Sequence, residues 1–253
     1  MLSKTEKEWN GQDVIIIGGG SSLTEFPFEQ LAGRNVIGVN EAFRLGTEIV
    51  PRNIFGDIEW WNRNKWTLED YALKKGGVLY SISPGTERLR MPYLRQLTRI
   101  SLGISLQPDK LAWNYSTGAA AVNLAVLLGA RRIFLLGFDM AAPNGESHWH
   151  RYRKKVTGEE SFARFMKGFE QLAAQLKKNL PAVKVYNVGD GSSRLSYFEK
   201  ISFEEFWNKT SEPVYANHQE SSEAESSVVE EQRDRPQRGK NLRRTRRDSS
   251  SLG

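Results

Sequence analysis

The chain has 253 residues, of which 39% are hydrophobic, and this is enough to bury one substantial core. It contains no cysteine, so disulfides, thiolate metal ligands and a thiol nucleophile are excluded. The formal net charge is +6, and residues 210–253 contain eight acids and eight bases, so the positive surplus lies in the preceding residues.

The beginning of the chain, MLSKTEKEWNGQD, has no apolar core between a basic segment and a cleavage site, and therefore does not fit a secretory signal. The most apolar stretch, residues 118–130, is shorter than the roughly 20 residues that a bilayer requires. This stretch predicts a buried helix instead. We therefore expect a cytoplasmic protein without a membrane span.

Short apolar runs alternate with helical patterns over most of the chain. The runs predict strands at residues 14–17, 35–39, 49–55, 78–82, 132–136 and 183–187. Helices are predicted at residues 60–75, 118–128 and 162–178, and in the last of these apolar residues recur every three or four positions. The alternation predicts an α/β fold with a Rossmann-like, doubly wound, mostly parallel sheet. We assign it to one nucleotide-binding domain, residues 10–208.

The last part of the chain, residues 210–253, has a different composition. Residues 212–231 contain six acids and no lysine or arginine, whereas residues 233–247 contain eight bases and one acid. Such a segment cannot bury enough apolar surface to offset the entropy lost on ordering, so we predict a disordered tail. Its basic part is compatible with an acidic partner or a nucleic acid.

A glycine-rich loop follows the first predicted strand, at the edge of the sheet where parallel α/β proteins bind their ligands. It consists of Gly18, Gly19, Gly20, Ser21 and Ser22. Glycines let the backbone approach a phosphate, and the two serines add hydroxyl groups and the start of a helix, so the loop predicts an anion site. It is neither a Walker loop nor a strict G-x-G-x-x-G. The alternative is a tight turn that requires glycine for a positive φ.

Carboxylates and histidines follow the later strands. Asp57 and Asp139 both end predicted strands, where they could hold a magnesium ion beside a phosphate or simply cap helices. His148 and His150 could act as general base, share a metal ion with Asp139, or form an ordinary polar loop. Arg151 could stabilise charge on a departing phosphate.

Several motifs together resemble a known family. VIIIGGGSSL, GVNEAF, IFGDIEW and YSTGAAAVNLAVLLGARRIFLLGFDM, followed by a histidine pair, are similar to the bacterial lipooligosaccharide sialyltransferases. They also resemble the broader family of motility-associated glycosyltransferase-like and 6-hydroxymethylpterin pyrophosphokinase-like proteins. The resemblance covers residues 14–150.

The resemblance implies a role for particular residues. Gly18, Gly20 and Ser22 match a loop that holds the nucleotide phosphate, and Asn40 matches an asparagine that contacts the donor. Asp57 stands where the family has a further asparagine. The motif before the buried helix corresponds to Ser116, Thr117 and Gly118, and the resemblance further implies a histidine base, for which His148 and His150 are the candidates.

The leading hypothesis is therefore a nucleotide-sugar-dependent glycosyltransferase with a CMP-type donor and a histidine general base. One alternative is a diphosphokinase that uses ATP with magnesium held by Asp57 and Asp139. The other is a non-catalytic module that binds nucleotides or assembles with a partner.

Overall fold

The computed structural model describes residues 3–152 and 156–211. Its ten strands are β1 (Asp13–Ile17), β2 (Val36–Val39), β3 (Arg52–Phe55), β4 (Val78–Ser81), β5 (Leu94–Gln96), β6 (Thr98–Ile100), β7 (Lys110–Ala112), β8 (Arg132–Leu136), β9 (Lys184–Val188) and β10 (Glu199–Ile201). Eight of them form one sheet in the order β10-β9-β8-β1-β2-β3-β4-β5, and β6 pairs with β7. Every neighbouring pair is parallel.

The helices are α1 (Ile58–Glu69), α2 (Thr117–Leu127), α3 (Glu159–Asn179) and α4 (Phe203–Ser211). A π-helical turn at Asp70–Lys74 extends α1, and single 3-10 turns occur at Ser21–Leu23 and Phe28–Leu31. In the described part of the chain, no helix combines the length and the apolarity needed to cross a membrane.

Alternate side chains of β1 enter different hydrophobic clusters. Val14 and Ile16 pack with the apolar residues of α2 and α3. Ile15 and Ile17 belong to a second cluster, which includes Phe206 of α4. Because successive strand residues point to opposite faces, both faces of the sheet are covered by helices.

The predicted fold class is confirmed, because the structure is an α/β, Rossmann-like fold with a parallel sheet between helices. The apolar stretch at residues 118–128 is a helix, and Ala119, Ala120 and Ala121 on it are fully buried. The sequence did not reveal β5, β6, β7, β10 or α4. The disordered tail predicted at 210–253 lies outside the described residues, apart from the end of α4.

The strand order reverses at β1, whose neighbours are β2 on one side and β8 on the other. At such a switch point the loops after the two central strands leave toward opposite faces and a crevice opens between them. The loops after β1 and β8 are those that begin at Gly18 and Gly137. The topology therefore places the glycine-rich loop at the edge of a crevice.

Candidate functional site

A cleft of about 720 Å³ lies at the carboxyl ends of β1, β2, β3 and β8. Most of the residues proposed from the sequence line it: Gly18, Gly19, Gly20, Asn40, Asp57, Ser116, Thr117, Gly118, Asp139, His148 and His150. Ser21, Ser22 and Arg151 do not line it. The Arg151 side chain is exposed instead, and Ser22 is turned toward the loop after β8.

The three glycines of the first loop are required for close packing. A Cβ atom on Gly18 would lie 2.7 Å from the carbonyl oxygen of Gly137, and one on Gly20 would lie 2.5 Å from the Asp139 carboxyl group. None of the three has a positive φ. The loop therefore needs glycine because the segment after β8 is so near, and the alternative based on a positive φ is wrong.

Most amides of this loop bind the protein itself. The Gly18 and Gly20 amides donate to the carbonyls of Leu136 and Gly137, each at 2.8 Å. The Ser22 amide donates to Asp139 Oδ2 at 2.9 Å, and the Ser22 hydroxyl donates to Oδ1 at 2.6 Å.

The helix that follows is a single turn, Ser21–Leu23, so it adds little of the N-terminal field that the sequence suggested. Among the described residues, the amides of Gly19 and Ser21 have no partner, and of these two residues only Gly19 lines the cleft. The Ser21 hydroxyl is buried and has no partner in residues 3–152 and 156–211. The Gly19 amide is therefore the one amide of this loop that both lies at the cleft and has no partner among the described residues.

The histidine segment is docked on the glycine loop. The Trp149 amide donates to the Gly19 carbonyl at 3.0 Å, and its indole Nε1 donates to the Gly18 carbonyl at 2.9 Å. A Cβ atom on Gly19 would lie 2.9 Å from His148 Nδ1. The imidazole of His148 thus lies directly beside the loop that the sequence assigns to phosphate.

Two further rings at the wall of the cleft follow that of His148. The rings of His148 and His150 are parallel within 4°, with centroids 5.2 Å apart. The Tyr152 ring follows, with its centroid 5.7 Å from that of His150. The Arg44 guanidinium lies over the Tyr152 ring, 4.4 Å from its centroid. Arg44 also pairs with Glu41 at 2.7 Å. Trp149 therefore fixes the histidine segment on the glycine loop, and Arg44 contacts Tyr152, two residues after His150.

The start of α2 brings the proposed donor residues into the cleft. The Ser116 hydroxyl caps the helix by accepting from the Gly118 amide at 3.1 Å. A Cβ on Gly118 would lie 2.6 Å from the Phe138 ring, so this turn packs against the segment after β8. On the other side, Asn40 has a left-handed backbone with φ of 52°, and its carbonyl accepts from the Asn53 side chain at 3.1 Å.

The two proposed metal-binding carboxylates both bind protein amides. Asp57 caps α1 by accepting from the amides of Glu59 at 2.7 Å and Trp60 at 3.4 Å. Asp139 holds Ser22 as described above. The structurally described residues contain no group of three or more histidine, aspartate or glutamate side chains arranged to hold a metal ion.

The charges on the cleft wall are mixed. Among the described residues, four acids line it, Glu41, Asp57, Glu59 and Asp139, against two arginines, Arg63 and Arg164. Glu41 is neutralised by Arg44 and also accepts from the Trp60 indole at 2.8 Å. The part of the wall that the structure describes is therefore not strongly basic.

Backbone strain is concentrated around the cleft. Four non-glycine residues near it have a positive φ: Asn40 at 52°, Asn114 at 49°, Tyr115 at 59° and Met140 at 54°. Asparagine tolerates this conformation, but for a bulky residue such as tyrosine it is an outlier that persists only where the surroundings impose it. All except Asn114 line the cleft.

Sequence reasoning missed one wall of the cleft. Trp113, Tyr115, Arg164 and Phe165 line it from the segment before α2 and from α3. These residues do not follow strands of the main sheet, so a search for polar loops at strand ends could not find them. The tendency of Asn114 toward a left-handed conformation was the one local signal.

No family model matches this chain, and neither does any curated protein. Among solved structures, it is similar to the sialyltransferase CstII from Campylobacter jejuni in complex with cytidine-5'-monophosphate. The identity is 16%, the match covers 76% of this chain and 85% of that one, and the TM-score is 0.48. A second CstII structure, in complex with CMP-3FNeuAc, has 16% identity, covers 75% and 84% of the two chains, and has a TM-score of 0.44. The function of this chain has to be inferred from the cleft itself.

Proposed function

We propose that this chain is a glycosyltransferase that uses a CMP-type nucleotide sugar and a histidine general base. The observation that carries the proposal is the contact between His148 and Gly19, which joins the predicted base to the predicted phosphate loop in one cleft. Glycosyl transfer needs this arrangement, because the base, the acceptor hydroxyl and the departing phosphate must meet within a few ångströms.

The donor would lie along the switch-point crevice. Its phosphate would accept from the Gly19 amide, which has no partner among the described residues. Asn40 and the turn formed by Ser116, Thr117 and Gly118 would contact the nucleotide and the sugar from either side. Asp139 would act indirectly, by holding the glycine loop through Ser22.

The charge of the cleft favours a donor with one phosphate. The described residues of its wall include four acids and two arginines and so offer few cations to a diphosphate or triphosphate, which enzymes commonly bind together with magnesium. Asp57 and Asp139, the magnesium ligands that a diphosphokinase would use, already serve a helix cap and a loop contact. No observation in the described part of the chain favours the diphosphokinase.

The transfer step follows from the position of the histidines. A neutral imidazole of His148 or His150 takes the proton of the acceptor hydroxyl while its oxygen attacks the anomeric carbon of the sugar. The bond from that carbon to the phosphate oxygen breaks, and CMP leaves with the bonding electrons. General-base catalysis of this kind contributes about 10²- to 10⁴-fold to the rate.

Calorimetric titration tests donor binding. Wild-type protein with EDTA should bind CMP, and ATP should bind more weakly whether or not magnesium replaces the EDTA. Release of CMP from CMP-N-acetylneuraminate in the presence of lactose as acceptor then tests catalysis in His148→Ala and His150→Ala. The matched control is His218→Ala, at the third histidine of the chain, within residues 210–253. The base should be the histidine whose loss lowers the rate by about a hundredfold or more while CMP still binds.

Two results would contradict the proposal. Absence of CMP binding would remove the nucleotide site altogether. The second result is that wild-type protein and both histidine variants bind CMP equally well but release none from the sugar nucleotide. Only the non-catalytic module would then remain.

A further inference from the structure

Tyr115 is held in an unfavourable backbone conformation at the wall of the cleft. Its φ is 59°, and the preceding residue, Asn114, has a φ of 49°. Two consecutive left-handed non-glycine residues cost free energy that the surrounding contacts must supply. Backbone strain of this kind clusters at functional sites, so we expect the Tyr115 side chain to have a role in the cleft.

The contacts that fix the preceding residue, Asn114, come from two places, the segment after β6 and α3. The Asn114 side chain is fully buried and binds both the amide and the carbonyl of Gly103, at 2.8 and 2.9 Å. The Asn114 amide donates to the Ser101 carbonyl at 2.9 Å. On α3, Gly168 leaves room for the turn, because a Cβ there would lie 1.9 Å from the Asn114 carbonyl oxygen. The turn is therefore fixed before any ligand arrives.

The residues around the Tyr115 side chain are of the kind that line ligand sites. Its ring forms a T-shaped contact with that of Trp113, with centroids 5.9 Å apart, and the guanidinium of Arg99 lies 3.3 Å from the centroid of the Trp113 ring. Phe165 lines the same wall. Within the described residues, the Tyr115 hydroxyl has no hydrogen-bond partner. Tyr115 thus brings an aromatic ring, and a hydroxyl that no described residue binds, to the wall of the cleft next to Ser116.

We propose that Tyr115 is a specificity-determining residue that binds a pyranose ring in the cleft. The aromatic face packs on the apolar face of the sugar, and the hydroxyl forms a hydrogen bond with a sugar hydroxyl, as the mixed lining of ligand pockets generally provides. The inference rests on the proposed function and adds the residue that recognises the sugar. The ring can belong to the donor or to the acceptor.

The test compares three variants by calorimetric titration. Tyr115→Phe removes the hydroxyl, Tyr115→Gly removes the ring and relieves the strain, and Tyr197→Phe is the matched control on an exposed tyrosine outside the cleft. The probes are CMP, the non-transferable analogue CMP-3FNeuAc, and lactose added to protein saturated with CMP.

If the donor sugar packs on Tyr115, the Gly variant should bind CMP-3FNeuAc at least about tenfold more weakly, and the Phe variant about fivefold, with CMP affinity changed less than about twofold. If the acceptor sugar does so, the same losses should appear for lactose alone. Either result supports the proposal. Equal binding of both sugar probes by wild type and Tyr115→Gly would overturn it.

Thermal unfolding separates binding from a structural role. Glycine adopts a positive φ freely, so Tyr115→Gly should melt at or close to the wild-type temperature. A fall in Tm of more than about 5 °C together with unchanged sugar binding would make Tyr115 a packing residue. Failure of the proposed function has a different signature, because wild-type protein would then either bind neither CMP nor its sugar analogue or release no CMP from the sugar nucleotide.

Discussion

The indole Nε1 of Trp149 donates a hydrogen bond of 2.9 Å to the carbonyl oxygen of Gly18, 131 residues earlier in the chain. With the bond from its backbone amide to Gly19, this contact fixes the histidine segment on the glycine loop. The Trp149 ring also packs on the Phe28 ring, with centroids 4.8 Å apart. The geometry of the proposed active site thus depends on one tryptophan that flanks both histidines.

Trp149→Phe should separate positioning from binding. It keeps an aromatic ring against Phe28 but loses the bond to Gly18, so His148 loses part of its restraint. We expect the rate of CMP release from CMP-N-acetylneuraminate to fall about tenfold, with CMP affinity within about twofold of wild type. Trp66→Phe, on a side chain that is 74% exposed, is the control. An unchanged rate would contradict the prediction.

Asp139 should support the glycine loop through hydrogen bonding rather than through charge. Asp139→Ala leaves the Ser22 amide without its acceptor, so the loop loosens and CMP should bind about tenfold more weakly. Asp139→Asn keeps one acceptor oxygen and removes a negative charge from the cleft, so CMP should bind at least as tightly as to wild type. Titration calorimetry gives both values, and a loss of CMP affinity in the Asn variant as large as in the Ala variant would refute this role.

Asn123 should be a major contributor to stability. Its buried side chain accepts from the amides of Ser105 and Ala112, each at 2.9 Å, and donates to the Ser105 carbonyl at 2.8 Å. Asn123→Ala leaves these groups unsatisfied and should lower the free energy of unfolding by about 3 kcal/mol, measured by urea denaturation.

The matched control for Asn123 is Asn179→Ala, which removes only an exposed bond to Gln175. This change should cost less than about 0.5 kcal/mol. Equal losses in the two variants would show that the buried network around Asn123 does not stabilise the fold.

Tyr71 should make the protein sensitive to alkaline pH. Burial raises the pKa of Tyr71, whose hydroxyl donates to the Val50 carbonyl at 2.6 Å. Above the unfolded-state pKa of about 10, the unfolded chain releases this proton while the folded chain retains it, so stability falls as pH rises. Tyr71→Phe should be less stable at neutral pH by about 1 kcal/mol and should lose less stability between about pH 9 and 11.

The control for Tyr71 is Tyr197→Phe, on a tyrosine that is 38% exposed. This variant should keep the alkaline slope of the wild type in urea unfolding measured across the same pH range. If Tyr71→Phe has that same slope, Tyr71 is not the source of the alkaline loss.

The central strands could be predicted because buried parallel strands are continuous apolar runs. Residues 132–136 were predicted as a strand and form β8 without change. The prediction at 49–55 began too early, since Pro51 has no amide to donate to a neighbouring strand and β3 begins at Arg52. Strands of three residues, such as β5 and β10, are too short to show a recognisable pattern of apolar residues. They become strands because they pair with a neighbouring strand of the sheet.

By itself, the sequence determined the α/β class and which polar residues follow which strands, because apolar periodicity and glycine breaks act over a few neighbouring positions. Only the tertiary structure decided that Asp139 binds Ser22, that Trp149 binds Gly18 and that Tyr115 lines the cleft. Ser22 and Asp139 are 117 positions apart, and they meet because β1 and β8 pair in one register. Contacts of this kind depend on strand order and packing, which no local pattern encodes.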